Sequence, residues 1–306
     1  MGRPTRADVA TMQRMRSRPT RTRDETGLGR LRERARVLLS RQDPCEYSLR
    51  RSPVALYSEK HDFAVLFTAK AGCTLAVKWF FFQEGLLDEA LAYSGWPHSY
   101  RIDVFIKQPG YMDKLDRVPT LGSRVLKFVR NPYDRAVSSY LHFSHILHDY
   151  PDGDQSPIVL AIGKHLGRRL SPDALFTFRE FVDYLGAIDL KTCNPHFRTQ
   201  MTVCERAGRL DGMTVIPIED SFRLVPEVEA KLGLQESGLA ELRRSAHHTT
   251  RSDLEGFFGD TPFGRARGVP IPRSAAFYDD ALLAEISRLY REDIEAYGYE
   301  PPSLAD

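Results

Sequence analysis

Three groups of residues in this chain have the types and spacing to handle anions and protons. The first is Lys70, Ala71, Gly72, Cys73 and Thr74, a short loop between two apolar stretches that reads as strand, tight turn and helix. Gly72 lets the backbone come close to a ligand, and Thr74 stands where the helix offers free N–H groups and the positive end of its dipole. Lys70 adds a mobile cation. By itself such a loop also fits an ordinary strand-to-helix turn with a surface lysine. The second group repeats the plan in RVLKFVRNPYDRAVSSY: an apolar strand, Arg130 at its end, Asn131 as N-cap, Pro132 at the first helical position and a helix holding Ser138. Ser138 follows Arg130 by eight residues, about two helical turns, so both can reach one anionic group. The third is His196, a single histidine before an aromatic, which reads either as a structural residue or as a proton acceptor.

These side chains need a frame that brings strand ends together. Phe63 to Phe67 is an almost continuous apolar run, the pattern of a strand buried on both faces, which belongs in a parallel sheet. In open α/β folds the ligand crevice lies at the C-terminal edge of such strands. The 306 residues are 42% hydrophobic, enough for one large α/β domain. A net charge of +2, the difference of 43 basic and 41 acidic residues, argues against generalised nucleic-acid binding. Four cysteines, at 45, 73, 193 and 204, are too scattered for a disulfide framework or zinc site. Cys193 and Cys204 are near enough in sequence to pair, but free thiols are expected. Residues 1–27, rich in Arg, Thr and Pro, read as a disordered arm, with a nucleic-acid or anionic-membrane tail as the alternative. Residues 28–57 read as an amphipathic helix and linker, and 58–300 as the catalytic domain. No apolar stretch reaches membrane-span length, and the basic N-terminus has no apolar core after it.

The two anion motifs resemble those of sulfotransferases that use 3′-phosphoadenosine 5′-phosphosulfate (PAPS), and most closely the carbohydrate sulfotransferase branch. In that branch a Pro-Lys-x-Gly-Cys-Thr loop holds the 5′-phosphosulfate; here it is Lys70 to Thr74, with Ala69 in place of Pro. An Arg-[Asp/Asn]-Pro-[Phe/Tyr]-x-Arg-x-x-Ser segment holds the 3′-phosphate; here it runs from Arg130 to Ser138. His196, Phe197 and Gln200 match a His-[Trp/Phe]-x-x-Gln segment, and Tyr290, Asp293, Tyr297, Gly298 and Tyr299 match a closing pattern expected to be structural.

The resemblance implies a P-loop-like three-layer α/β fold with a central parallel sheet flanked by helices. It implies sulfuryl transfer from PAPS to a hydroxyl acceptor, a carbohydrate or glycolipid, leaving adenosine 3′,5′-bisphosphate and needing no metal. Lys70 would neutralise the leaving phosphate, the loop and Thr74 would hold the 5′-phosphate, Arg130 and Ser138 the 3′-phosphate, and His196 would take the acceptor's proton. His61, His247, His248 and Glu219 are weaker candidates for the base. A nucleotide kinase is disfavoured because TAKAGCTL lacks the spacing of GxxxxGK[ST], and an inert nucleotide-binding scaffold is the remaining alternative. Eukaryotic relatives are commonly Golgi-anchored, so the missing anchor implies a cytoplasmic enzyme; the oligomeric state is open.

Elsewhere the aromatics between Trp96 and Met112 either pack the core or border an acceptor pocket. His142, His145 and His148 read as a polar helix face, and Tyr150 to Leu170 as a polar insertion or lid. Phe176 to Ile188 reads as an amphipathic helix and Met213 to Ile218 as a strand. The stretch 243–273 reads as a long loop whose Arg251, Arg265, Arg267 and Arg273 close over phosphates or are simply solvated. The chain is expected to close with one helix from Ala281 to Tyr297.

Overall fold

The computed structural model describes residues 43–149, 156–243, 251–252, 254–263 and 270–303. The expected arm and the helix at 28–39 lie outside the described residues, as do His247, His248, Arg265 and Arg267. In chain order the elements are α1 Pro44–Leu49, β1 Leu56–Ser58, β2 Phe63–Phe67, α2 Cys73–Glu84, α3 Leu87–Ser94, α4 Pro97–Asp103, α5 Tyr111–Lys114, β3 Val125–Val129, α6 Pro132–Asp149 and α7 Pro157–His165. There follow α8 Phe178–Gly186, α9 Val203–Arg206, β4 Thr214–Pro217, α10 Ser221–Leu232, α11 Leu239–Arg243, the paired β5 Arg251–Ser252 and β6 Ile271–Pro272, α12 Asp280–Leu289 and α13 Arg291–Tyr297.

The main sheet has the order β1-β2-β3-β4. β2, β3 and β4 run parallel, with Val65 opposite Leu126 and Phe128 opposite Ile216, while β1 adds an antiparallel edge. Every residue of β2 and β3 is buried, as the apolar runs require of strands covered on both faces. This is the expected α/β architecture, a mostly parallel sheet flanked by helices. One core joins the sheet to α2, α10 and α11, with Trp79, Phe63, Phe80 and Phe128 at its centre. A second gathers α6, α7, α8 and α12 around Tyr140, Phe178, Phe181 and Phe277. The parallel register places the ends of β2, β3 and β4 side by side, and with them the segments at Lys70, Arg130 and Glu219.

Four expectations are corrected. Cys45 and Cys204 form a disulfide, because the α1·α9 packing brings their Cα atoms to 4.5 Å; Cys73 and Cys193 are free. Pro157–His165 is not a lid: Ile158, Val159 and Ile162 are buried in the second core. The closing helix is broken at Tyr290, whose hydroxyl turns inward to donate to the Phe197 carbonyl at 2.7 Å. His142 is not simply on a polar face, since its ring stacks on that of His196 with centroids 4.6 Å apart.

Candidate active site

The turn after β2 is built for close approach. Gly72 has φ +72°, and a Cβ there would meet Ile218 Cδ1 at 2.4 Å, so no larger residue fits between the loop and the end of β4. Lys70 also lies in the left-handed region, at φ 65°. Gly72 caps α2 without any side-chain hydrogen bond, which leaves the helix's first N–H groups facing the turn. Lys70 Nζ makes no hydrogen bond or ion pair among the described residues. Burial, together with Arg130 and Arg135 nearby, lowers its pKa to about 8.

Arg130 follows β3 directly, and its Nη1 donates to the Lys70 carbonyl at 3.2 Å. The two motifs therefore meet on one rim. Asn131 caps α6 as expected, its Oδ1 accepting from Tyr133 N at 2.9 Å, and its own N–H donates to Glu219. Arg135, 1% exposed, donates to the Ala69 carbonyl and the Pro195 carbonyl, both at 3.1 Å, tying the Lys70 loop to the segment before His196. Beside Arg130 opens a pocket of about 620 Å³ lined by Arg130, Asn131, Tyr133, Asp134, Arg273 and Ser274.

A buried polar network holds this rim from behind. The Gln200 amide clasps both backbone groups of Arg130, accepting from its N–H at 2.9 Å and donating to its carbonyl at 2.8 Å. Gln200 is fixed in turn by Asp293, which accepts from the Gln200 and Met201 N–H groups at 2.8 Å. Lys127, the one charged residue of β3, is fully buried, pairs with Glu205 and donates to the Gln200 carbonyl and the Tyr297 hydroxyl. A buried ammonium so enclosed is stable only because every proton finds an acceptor.

His196 is oriented by Asn194. One Asn194 oxygen faces both the His196 backbone N–H, at 3.0 Å, and Nδ1, at 2.8 Å. A backbone N–H can only donate, so the atom it meets is Oδ1, and Nδ1 must donate to it as well. The remaining ring nitrogen, Nε2, carries a lone pair. Burial first, then Lys70 and Arg135, lowers the His196 pKa to about 3 and keeps the ring neutral.

A family model described as the sulfotransferase family matches residues 54–300. The chain belongs to the sulfotransferase family. Comparison with curated proteins gives no match, and comparison with solved structures gives none either.

Within the sulfotransferase, Lys70 to Thr74, Arg130 and His196 are brought together around the ends of β2 and β3. Ser138 is half-buried on α6, and no hydrogen bond ties it to the others among the described residues. Its neighbour Ser139 is the one engaged, donating to the His196 carbonyl at 2.6 Å. His61 lies before β2, at the opposite end of that strand from Lys70, and meets the Gln83 carbonyl at 3.1 Å. Glu219 is occupied as acceptor for Asn131 N and the Tyr299 hydroxyl. Sequence reasoning missed Arg135, Lys127 and Glu205, and gave Gln200 no role. A lysine inside VLKFV was the available signal, since a buried cation demands partners.

Proposed function

We propose that this sulfotransferase takes its sulfuryl group from PAPS and passes it to a hydroxyl of a carbohydrate or glycolipid, releasing adenosine 3′,5′-bisphosphate. The observation that carries the reading is the Arg130 Nη1 to Lys70 carbonyl contact of 3.2 Å, because one doubly phosphorylated adenosine needs cations at both of its ends on a single rim. The residues fit such a ligand: an uncapped helix start, a glycine with no room for a Cβ, and a lysine that pairs with no carboxylate among the described residues. When bound, the donor supplies the sulfuryl group and an anionic leaving group.

In this reading the loop N–H groups and the Thr74 hydroxyl hold the 5′-phosphate, with Ala71 and Cys73 shaping the turn. Lys70 sets positive charge where the leaving oxygen gains negative charge. Arg130 and Ser138 grip the 3′-phosphate, and the adjoining pocket with Arg273 receives the nucleoside. His196 Nε2 accepts the proton of the acceptor hydroxyl, its tautomer held by Asn194. Arg135 positions both the Lys70 loop and the His196 segment without touching ligand.

The test is binding of adenosine 3′,5′-bisphosphate by calorimetry. Arg130→Ala is expected to weaken it by roughly ten- to a hundredfold, the loss of a charge-assisted pair; unchanged affinity would remove Arg130 from the nucleotide site. Incubation with labelled PAPS and a glycan extract, followed by mass identification of the sulfated product, names the acceptor.

A further inference from the structure

A second place in the described residues buries positive charge without an anion. α4 turns His98 and Arg101 inward, one helical turn apart, to 5% and 6% exposure. The Arg101 guanidinium lies 5.5 Å from the Phe67 ring centroid, and the His98 ring lies 6.3 Å from the same ring. Both thus gather over the last residue of β2, next to the Lys70 loop. Among the described residues, neither Arg101 Nε nor His98 Nε2 has a hydrogen-bond partner. Among the described residues no carboxylate pairs with Arg101; its electrostatic neighbours are the Cys73 thiol and the Tyr111 phenol. Burial raises the Tyr111 phenol's pKa and keeps it neutral.

An enclosed guanidinium without a counter-charge is costly, and fold stability gives no reason to keep one. Cys73 is an electrostatic neighbour of both Lys70 and Arg101, so the cluster adjoins the Lys70 loop. Over it, Trp96 is 43% exposed and its ring leans on His98 with centroids 5.0 Å apart. Tyr93, 52% exposed, packs edge-on against Tyr100 in the same region. Exposed aromatic faces beside a buried cation suit a ring with an apolar face and an anionic substituent.

We propose that His98 and Arg101, fronted by Trp96, form an acceptor-side subsite that takes a carboxylate or sulfate group borne by the acceptor's sugar ring. This rests on the carbohydrate-acceptor reading above, and it makes Arg101 a specificity-determining residue. Arg101 donates to the anion, and Trp96 supplies the stacking face. The entering charge removes the burden of the unpaired guanidinium.

The probes are 4-nitrophenyl β-glucuronide and its neutral partner 4-nitrophenyl β-glucoside, titrated by calorimetry with and without saturating adenosine 3′,5′-bisphosphate. The wild type is expected to bind the glucuronide about tenfold tighter, the size of one charge-assisted contact. Arg101→Gln should abolish that preference while leaving the affinities for PAPS and the bisphosphate unchanged. Arg101→Lys should retain part of it, and Trp96→Ala, at the surface, should weaken both sugars alike; these two variants keep the test open should Arg101→Gln not fold. Equal affinity of the wild type for the two sugars, or a preference that survives in Arg101→Gln, overturns the subsite. A loss of PAPS affinity in Arg101→Gln with the glucuronide preference intact assigns the anion to the donor and likewise overturns it. A wild type that fails to bind the bisphosphate but keeps the glucuronide preference would instead count against the donor reading, so the two failures are distinct.

Discussion

Lys70 combines an uncommon backbone with an uncommon charge. A non-glycine residue at φ 65° stores about 1–3 kcal/mol of strain, which the surrounding loop must hold in place. Its ammonium, crowded by protein and two arginines, has a pKa of about 8. Below that pH the charge needed for the leaving group is present, and as pH rises through it the charge is lost. Measured as kcat/KM for the donor, activity is expected to be level from about pH 6 to 8 and then to fall up to tenfold per unit. Lys70→Arg should remove the alkaline fall, at a lower rate. On the acid side His196, neutral down to about pH 3, should give no limb near its ordinary value of about 6.5. A limb centred there that persists in His196→Gln would place the base on another residue.

At the scale of elements, the site depends on how β3 and the segment before α9 are joined. Gln200→Leu would leave the N–H and carbonyl of Arg130 without their partners, at about 1–3 kcal/mol for each group. The expected result is a lower denaturation midpoint together with roughly tenfold weaker bisphosphate binding. Full bisphosphate affinity in a destabilised Gln200→Leu protein would confine Gln200 to the fold. The strands and the two turns were legible because their signals are local: apolar runs, Gly72 after a strand, and Asn131-Pro132 at a helix start. Gln200, Glu205 and Asp293 lie 70 or more residues from the Arg130 and Lys127 they support, and hydropathy carries no trace of such pairings. The break at Tyr290 was hidden for the same reason, since a helical pattern runs through it and only the Phe197 carbonyl explains it.

For the molecule as a whole, the Cys45–Cys204 disulfide stands beside the Glu205–Lys127 pair and joins positions 159 residues apart. Closing so long a loop restricts the unfolded chain, and breaking such a bond typically costs about 2–5 kcal/mol. A reducing agent, or Cys45→Ser, is therefore expected to lower the melting temperature; the same Tm with and without reductant would show that the bond adds nothing. Such bonds persist in oxidising compartments and are rare where thiols are kept reduced. The bond also encircles Lys70, Arg130, Ser138 and His196 within one covalent ring. A protease nick anywhere between the two cysteines would open the chain but not release a fragment. The clipped protein would travel as a single species on a gel until reductant split it in two.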